Sequence, residues 1–413
     1  MNILYINHYA GSMKHGMEFR PYYLSREWIK KGHRVRIVTA DFSHLRFNNP
    51  DERKDFESEI IDGIEYQWIH TGKYESNGAK RAITVFQFCY KLYMNAKKIA
   101  NDFKPDVVIT SSTYPLDSFP GRKIANIAKA KYIHEAHDIW PLTLTELMGM
   151  SKLNPFVITM AIAEKYVYKK SDHVVSVLPN SWKHMLKKGL QSKEKFTHIP
   201  NGIVMEDWEN PQPVPDEHQE LFKSLKNQGK KIVCYLGTHG PTNALDTLIE
   251  VAQRSNDAAI AYVFVGKGSQ KDRLRKKAEN DNNIYFLPPV SKLSVPTILS
   301  MADILYIGFL CGGTPKSSMI YKYGVSMNKL YDYMMSGKPI IHAVDASNSD
   351  VDDAKCGISI EPCNSSELER ALKQLFSMTP EEAKIMGEKG KKAVIEKYNY
   401  KALADRFLEI LIR

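Results

Sequence analysis

The chain has 413 residues, of which 43% are hydrophobic and 25% are charged. This length and composition predict two domains with separate cores and exclude a disordered polymer. The formal net charge of +10 comes from residues 1–200, which carry 30 lysines and arginines against 20 acids, whereas residues 201–413 are balanced. The asymmetry predicts an anionic partner for the first half: nucleic acid, an anionic substrate or a membrane surface.

Strand-like and helix-like segments alternate along the first half. The predicted strands are 3–7, 34–39, 64–70, 106–111, 131–135, 173–178 and 196–199. The predicted helices are 18–31, 83–103, 119–129, 155–170 and 181–188. Apolar strands separated by amphipathic helices indicate a parallel sheet that is covered on both faces.

The second half repeats this rhythm after a turn at Pro200-Asn201-Gly202 and a proline-rich, linker-like segment, 210–216. Its predicted strands are 231–236, 261–266, 283–287, 303–306, 339–343 and 357–360. Its predicted helices are 244–254, 270–280, 293–301 and 366–376, and the tail from Lys391 to Arg413 is helical with a break near Asn399. Doubly wound domains bind ligands at the carboxyl ends of their strands, so we expect a site in a cleft between two domains.

No segment predicts export or a membrane span. A strand-like run begins at Asn2, which leaves no room for a signal peptide, and the longest apolar run, 153–163, is far shorter than the roughly 20 residues that cross a bilayer. The five cysteines show no spacing typical of a zinc site or a disulfide framework, and Cys89 and Cys234 stand in apolar surroundings as predicted core thiols. These features predict a cytoplasmic, reduced protein.

The stretch 323–341 reads as a glycine loop, a short helix with one acid, and a glycine turn into an apolar strand. Backbone N–H groups at the loop and at the helix start favour an anion such as a diphosphate, and Lys329 adds a cation. Asp332 lies one turn deeper, where its carboxylate can accept hydrogen bonds from the two hydroxyls of a ribose. The stretch therefore predicts a nucleotide-diphosphate site.

Six motifs, taken in order, carry a resemblance to a known family. They are 16–24 with 32–35, 135–141, 199–202, 235–240, 264–268 and the stretch 323–341. In this order and spacing the chain resembles glycosyltransferase family 4, and within that family the WbuB-like aminosugar transferases of bacterial surface-polysaccharide assembly. The resemblance covers nearly the whole chain.

The resemblance implies the GT-B fold, in which two doubly wound, Rossmann-like α/β domains face each other across a cleft. It implies an acceptor-binding domain at 1–200, a nucleotide-sugar-binding domain at 201–395, and a C-terminal helix at 396–413 that packs back on the first domain. The implied activity is retaining, needs neither metal nor cofactor, and moves a hexose from a UDP-sugar to a lipid-linked saccharide in capsule or O-antigen synthesis. N-acetyl-L-fucosamine or another N-acetylated aminosugar is the expected sugar, and an undecaprenyl-diphosphate-linked saccharide at the inner face of the cytoplasmic membrane is the expected acceptor.

In the second domain, Asp332 matches the second acid of the family's paired-acid motif, which holds the ribose. The first acid should stand at position 324, where this chain has Gly324, and no cation follows strand 231–236 where many members have one. We therefore expect Lys329, assisted by His239 if that side chain is protonated, to meet the charge that builds on the leaving diphosphate. The other expected donor-site residues lie in turns after strands or beside Lys329: Gly237, Gly240, Gly266, Lys267, Pro288, Asn328 and Leu330.

In the first domain, the motif 135–138 follows a predicted strand. The resemblance implies that His137 approaches the sugar, while Glu135 or Asp138 is available to accept the proton of the acceptor. In a front-face route, the phosphate oxygen of the donor takes that proton instead. The loop after the first strand and the start of the first helix are expected to hold a phosphate or the acceptor, through Gly11, Ser12, Gly16, Glu18 and Arg20.

Two helical segments, 80–98 and 152–170, combine aromatic and aliphatic side chains with flanking lysines. They are either core-packing helices or an interfacial surface on anionic lipid, where each cation contributes about 1 kcal/mol. A third segment, Asp350-Val351-Asp352-Asp353, resembles a metal-binding acid motif but has no neighbouring histidine or phosphate-loop pattern. We therefore predict an exposed helix there and no metal site.

Two rival functions use some of the same features. A nucleotide-sugar epimerase-like hydrolase would use the same two-domain architecture, but it needs additional carboxylates for proton abstraction, and few are evident. A nucleic-acid binder would exploit the basic first half, but the interleaved aromatic and basic motifs of the usual modules are missing.

Overall fold

The computed structural model describes residues 1–16, 19–74, 78–255, 257–309 and 318–413. The chain forms two compact units. The first comprises Met1–Asn201, Tyr323–Val325 and Tyr400–Arg413, and the second comprises Gly202–Lys322 and Ser326–Asn399.

The first unit is built on one sheet. Its strands are β1 (Asn2–Ile6), β2 (Arg34–Ala40), β3 (Glu57–Ile61), β4 (Ile64–Ile69), β5 (Val107–Thr110), β6 (Lys131–Ala136), β7 (His173–Ser176) and β8 (Phe196–His198). In the described part of the chain the strand order is β3-β4-β2-β1-β5-β6-β7-β8. Neighbouring strands are parallel except β3 and β4, which are antiparallel.

Helices cover this sheet. They are α1 (Arg20–Lys30), α2 (Ala79–Met94), α3 (Ala96–Phe103), α4 (Ser118–Ala128), α5 (Leu142–Glu146), α6 (Pro155–Lys170) and α7 (Trp182–Lys187). Local signals fix the start of α6, because Pro155 stands in its first turn and the Asn154 side chain accepts a hydrogen bond from the N–H of Phe156 at 2.9 Å. Leu4, Phe88 and Ile124 are fully buried and join the sheet, α2 and α4 in one core.

The second unit has a wholly parallel sheet. Its strands are β9 (Lys231–Leu236), β10 (Ile260–Val265), β11 (Ile284–Leu287), β12 (Ile304–Gly308), β13 (Ile340–Ala343) and β14 (Gly357–Ile360). Their order in the described residues is β11-β10-β9-β12-β13-β14. Fully buried residues such as Val233, Phe264 and Leu305 fill these strands, as expected for a parallel sheet that is covered on both faces.

Ten helices appear in the described residues of the second unit. They are α8 (Glu206–Glu209), α9 (Asp216–Asn227), α10 (Leu245–Ser255), α11 (Lys271–Lys277), α12 (Val295–Ser300), α13 (Ser318–Tyr321), α14 (Asn328–Met335), α15 (Asp350–Ala354), α16 (Ser365–Phe376) and α17 (Pro380–Lys397). The last helix, α18 (Tyr400–Ile412), belongs to the first unit. There Trp28 of α1 donates a hydrogen bond to the Ala404 carbonyl at 3.1 Å and packs edge-on against Phe407.

The predicted α/β architecture with parallel sheets is confirmed, but several elements differ from prediction, and the short helices α5, α8 and α13 are among those that were not predicted. Strand β3 was not predicted, because its sequence, Glu-Ser-Glu-Ile-Ile, is short and polar at one end. The single helix predicted at 83–103 is two helices, α2 and α3, which meet at Asn95. Helix α9 follows the linker-like segment and was not predicted either.

The acidic segment at Asp350 forms helix α15, but the prediction that the whole helix is exposed was wrong. Asp350 is buried, and its carboxylate accepts hydrogen bonds from the hydroxyls of Tyr331 at 3.0 Å and Tyr398 at 3.2 Å. Burial raises the pKa of Asp350. This acid therefore links α14 and α17 inside the second unit.

Cys89 and Cys234 are buried free thiols, which confirms their prediction as core residues. The expectation of wholly reduced cysteines was wrong, because Cys363 is disulfide-bonded. The irregular spacing of the five cysteines gave no signal for this bond. Within the described ranges, no helix combines the length and the apolar character that a membrane crossing requires.

Candidate functional site

The strongest candidate site lies at one edge of the sheet of the second unit. Strands β9, β10 and β11 are parallel, so the turns that follow them meet at the same edge. The N–H of Gly237 donates to the Val265 carbonyl at 3.0 Å, and the N–H of His239 donates to the Lys267 carbonyl at 2.9 Å. Helix α14 joins this edge, because the Tyr333 hydroxyl donates to the Leu236 carbonyl at 3.0 Å. Open α/β sheets bind their ligands at such edges.

Lys329, in the first turn of α14, reaches the end of β9. Its Nζ donates to the Tyr235 hydroxyl at 2.9 Å and to Oδ1 of Asn243, and it lies 4.8 Å from the centre of the Tyr235 ring. Burial lowers the pKa of Lys329 to about 8. Among the described residues no carboxylate forms an ion pair with this ammonium group, so its charge is available to an anionic ligand.

Asp332 follows Lys329 by one helical turn and is 7% exposed. Lys292, in the short 3-10 turn after β11, donates from Nζ to Oδ1 of Asp332 at 2.8 Å and to Oδ2 at 2.6 Å. A carboxylate has about four acceptor positions, so two contacts from one ammonium leave positions for further donors such as hydroxyl groups. The pair holds the carboxylate of Asp332 in place at this edge.

His239 cannot carry the positive charge that the sequence analysis allowed it. The ring is fully buried, and neither of its nitrogens has a hydrogen-bond partner among the described residues. Burial, followed by the nearby Lys271 and Lys329 charges, lowers the pKa of His239 to about 4. At neutral pH this imidazole is uncharged, so His239 adds no positive charge to that of Lys329.

The glycines of the turn Gly266-Lys267-Gly268 are required by packing. A Cβ on Gly266 would lie 1.9 Å from the Gly237 carbonyl oxygen, and a Cβ on Gly268 would lie 2.4 Å from the His239 carbonyl oxygen. Lys267 between them is exposed. The backbone of the turn 266–268 therefore packs directly against the backbone of the turn 237–239. This packing explains the Gly-x-Gly pattern without requiring a phosphate-binding role.

The other donor-site candidates fall into two groups. Asn328 and Pro288 are exposed at the same edge, and the Pro288 carbonyl accepts a hydrogen bond from Nε2 of His218 at 2.9 Å. Leu330, by contrast, is 2% exposed and lies in the core, so only its backbone is near the edge. Gly240 starts the short turn that brings Asn243 to Lys329.

The stretch 323–341, read above as a single motif, is divided between the two units. Tyr323–Val325 belongs to the first unit, where the Tyr323 carbonyl accepts a hydrogen bond from the N–H of Asn180 at 3.0 Å. The second unit resumes at Ser326.

In the first unit, Glu135 at the end of β6 is the centre of a buried hydrogen-bond network. It is fully buried and accepts hydrogen bonds from Nε of Arg20 at 2.9 Å, from the Ser111 hydroxyl at 2.6 Å and from the Tyr5 hydroxyl. Burial alone would raise its pKa, but the charge of Arg20 and these hydrogen bonds hold the pKa of Glu135 well below its usual value. Glu135 is therefore a structural anion, which corrects its assignment as a proton acceptor.

Arg20 has the complementary role. Besides Glu135, its guanidinium donates to the Pro200 carbonyl at 2.6 Å and to the Ile199 carbonyl at 2.9 Å, and the side chain is only 4% exposed. These contacts tie α1 to β6 and to the turn at 199–201. They engage Arg20 inside the unit, whereas the sequence analysis expected it to pair with a phosphate.

His137 is a half-buried member of the motif 135–138. Its Nε2 lies 2.7 Å from the Ser111 hydroxyl and 3.4 Å from Oε2 of Glu135, and its side chain is 16% exposed. Asp138 accepts hydrogen bonds from the N–H of Ile139 and from the Thr143 hydroxyl, which closes the turn into α5. Burial raises the pKa of Asp138.

A further acid, Asp117, lies beside this motif and was missed by the sequence analysis. It is fully buried; Oδ2 accepts a hydrogen bond from the N–H of Ser112, and Oδ1 has no partner in the described structure. Burial raises the pKa of Asp117 to about 7. A single aspartate before a helix is common, so the sequence held no signal for it.

The loop after β1 is closed on itself. The N–H groups of His15 and Gly16 both donate to the Ser12 carbonyl, at 3.1 and 2.7 Å, and the Gly11 carbonyl accepts a hydrogen bond from the Tyr66 hydroxyl at 2.7 Å. The N–H groups of His15 and Gly16 are therefore used within the loop, while the role of the loop in holding a phosphate stays a prediction. Glu18, also predicted here, lies outside the described residues.

The structure also adds Lys292, Tyr235 and Asn243 to the candidate site of the second unit. The sequence placed Tyr235 inside the motif 235–240 and Asn243 just after it, but gave no signal for Lys292. Within the described ranges, no group of three or more histidine, cysteine or acidic side chains is placed to hold a metal ion.

Comparison with protein-family models divides the chain in the same way as its fold. Residues 15–207 match the model described as Glycosyltransferase Family 4, and residues 216–393 match the model described as Glycosyl transferases group 1. The two matches lie side by side and leave only the termini and a short connecting segment unmatched.

Three similar proteins illustrate the relationship. The putative colanic acid biosynthesis glycosyl transferase WcaI of Escherichia coli is 24% identical over 67% of this chain and 69% of its own length. The poly(ribitol-phosphate) alpha-N-acetylglucosaminyltransferase of Staphylococcus aureus is 26% identical over 44% of this chain and 36% of its own length. The solved structure of Anabaena Alr3699/HepE in complex with UDP superposes over 100% of both chains with a TM-score of 0.69 at 13% identity, which shows a shared fold.

Proposed function

The chain is a glycosyltransferase with the GT-B fold, and on that premise we propose that it transfers a sugar from a UDP-sugar to a lipid-linked saccharide in bacterial surface-polysaccharide synthesis. The family matches leave donor and acceptor open. The name of the E. coli relative supports polysaccharide synthesis, and the UDP complex of the Anabaena neighbour supports a uridine nucleotide.

The observation that carries the proposal is the pair of charges on α14. Lys329 places an ammonium group, whose pKa is lowered to about 8, at the edge where the strands of the sheet end. Asp332 places a carboxylate, held by Lys292, one helical turn away. Breaking the bond between sugar and diphosphate builds negative charge on the leaving group, which a nearby cation stabilises most in the transition state. We assign Lys329 to the diphosphate and Asp332 to the ribose hydroxyls.

We assign the acceptor to the first unit. The candidate side chain there is His137, which is half-buried and held toward Ser111 and Glu135 at the end of β6. Since Glu135 is a paired structural anion, the phosphate oxygen of the donor is the better acceptor for the proton of the incoming hydroxyl. This assignment favours a retaining, metal-independent reaction, with Lys329 supplying the positive charge.

We further propose that the transferred sugar is an N-acetylated aminosugar. The S. aureus relative transfers such a sugar by its name, and the chain has Gly324 at the position where the family places an acid that contacts the donor sugar. Without that carboxylate, the acid contact that family members make to the donor sugar is missing at this position, so the sugar need not be the one that this contact selects.

A lipid-linked acceptor requires access to a membrane, and the first unit has a surface that suits one. On α2, the start of α3, and α6, exposed apolar side chains are accompanied by exposed lysines: Ile83, Phe86, Tyr90, Tyr93, Lys97, Ile158, Ile162, Lys165 and Lys169. The contact between the rings of Phe86 and Phe156 joins α2 and α6. An exposed apolar surface that is flanked by lysines is typical of proteins that bind to the surface of anionic bilayers.

Replacement of Asp332 by alanine tests the donor assignment. We expect the affinity for UDP, measured by calorimetry, to fall about 30-fold, because a charged hydrogen-bond acceptor contributes about 2 kcal/mol. Asp353→Ala, which removes an exposed acid from α15 in the same unit, should leave UDP affinity unchanged. Equal UDP affinity in Asp332→Ala and the wild type would reject the ribose assignment.

The same preparations separate the rival enzyme. A UDP-sugar epimerase-like hydrolase would release free sugar when no acceptor is present, whereas the proposed transferase should turn over only with a saccharide acceptor. The family models and the relatives named above are described as glycosyltransferases.

A further inference from the structure

A groove of about 500 Å³ opens on the first unit between the start of α2 and the segment from Trp140 to Phe156. Its walls are mostly apolar and include Ala82, Val85, Trp140, Leu144, Met148, Met150 and Phe156. Its volume falls in the range of small-molecule sites. None of the residues assigned above to sugar transfer lines it.

One end of the groove is cationic. Arg81 lines it, with its guanidinium carbon 5.3 Å from the centre of the Tyr9 ring and its Nε 3.4 Å from the Tyr9 hydroxyl. Helix α2 begins here with Lys80 and Arg81 in its first turn, without an acid and without a side-chain cap. Arg81, which lines the groove, and the helix start beside it favour an anionic group at this place.

The other rim of the groove is apolar and exposed. Met148 is 53% exposed and Leu153 is 84% exposed, and both belong to the segment that forms one wall or its edge. This rim continues into the exposed faces of α2 and α6 through Phe156. A hydrocarbon chain that leaves a bilayer at this surface can therefore enter the groove without crossing water.

We infer that the groove holds the first part of the lipid chain of the acceptor, with Arg81 beside the phosphate that joins this chain to the saccharide. The inference rests on the proposed function, from which it takes the lipid-linked nature of the acceptor. The occupant is a single hydrocarbon chain that ends in a phosphate or diphosphate, because the groove is apolar along its length and cationic at one end only.

Equilibrium dialysis of the full chain with geranyl diphosphate, a ten-carbon probe, tests the inference. We expect this probe to bind more than about 100-fold more tightly than inorganic diphosphate, because its chain is buried. Ala82→Phe fills the groove and should weaken binding at least about tenfold. Ile127→Phe is the matched control, since Ile127 lies on α4 of the same unit, is exposed and does not line the groove.

Arg81→Met should weaken geranyl diphosphate about tenfold while leaving geraniol, which has no phosphate, unaffected. Equal binding by wild type and Ala82→Phe, or no binding of geranyl diphosphate at all, would overturn the inference. Displacement of the probe by short-chain phosphatidylglycerol at equal affinity would also overturn it, in favour of a bilayer lipid. UDP binding is measured on the same samples. A wild-type protein that does not bind UDP would contradict the proposed function but would leave the inference about the groove standing.

Discussion

Replacing Glu135 with glutamine should lower the free energy of unfolding of the first unit by about 3–5 kcal/mol. The carboxylate is fully buried and receives hydrogen bonds from Arg20, Ser111 and Tyr5. Glutamine keeps the shape but leaves the guanidinium of Arg20 buried without its counter-charge. Four of the five tryptophans, at positions 28, 68, 140 and 182, lie in this unit, so tryptophan fluorescence during urea unfolding reports on it.

The pH dependence of stability provides a second measurement on the same variant. The pKa of Glu135 is lowered in the folded unit, so its ionised form stabilises the fold above the unfolded pKa of about 4.3, and this contribution is lost as the pH falls further. The wild type should therefore lose stability below that pH more steeply than Glu135→Gln.

Asp405→Asn is the matched control for this buried pair. Asp405 forms an ion pair with Lys31 of the same unit at 2.7 Å, but the two side chains are 44% and 41% exposed. Removing an exposed ion pair should cost about 0–1 kcal/mol. A change of less than about 1 kcal/mol in Glu135→Gln would contradict the structural role that we assign to Glu135.

Replacing Lys329 with methionine should lower kcat about 100- to 1,000-fold while weakening UDP binding less than about tenfold. The ammonium group meets its full counter-charge only when the sugar–phosphate bond breaks, so its loss affects turnover more than binding. Initial rates of sugar transfer and calorimetry with UDP measure the two effects separately. A loss confined to UDP affinity, with kcat unchanged, would contradict this role.

Two comparisons sharpen the test of Lys329. Lys329→Arg keeps the charge and should retain more activity than Lys329→Met at every pH. Because the pKa of Lys329 is about 8, kcat/KM of the wild type for the donor should decline as the pH rises above that value, while Lys329→Arg should show no such decline. A wild-type profile that stays flat from pH 7 to pH 10 would contradict the assignment.

The fold was largely predictable because the apolar strands and amphipathic helices carry strong periodic signals. Strands β9 and β14 and helix α6 have the predicted limits. The antiparallel edge strand β3 was missed, because five residues with two glutamates do not read as a buried strand. The break at Asn95 was missed because helical periodicity continues across it.

The candidate site was predictable only where a single segment determines it. The spacing of Lys329 and Asp332 on one helix was readable, whereas their partners come from other segments: Lys292 is 40 residues from Asp332, and Tyr235 is 94 residues from Lys329. Tertiary contacts also decide the charge of His239, which burial keeps neutral. The same limit applies to Glu135, whose pairing with Arg20 joins segments 115 residues apart.

Hydrogen exchange of the full chain with and without UDP tests the central claim most directly. We expect UDP to slow exchange at the turn 236–243 and at the start of α14, around Asn328–Asp332, because bound phosphates and ribose engage these groups. Exchange in the loop 11–16 of the first unit should stay unchanged. Slower exchange confined to the first unit, or none at the start of α14 when calorimetry shows UDP bound, would contradict the claim that this edge holds the nucleotide.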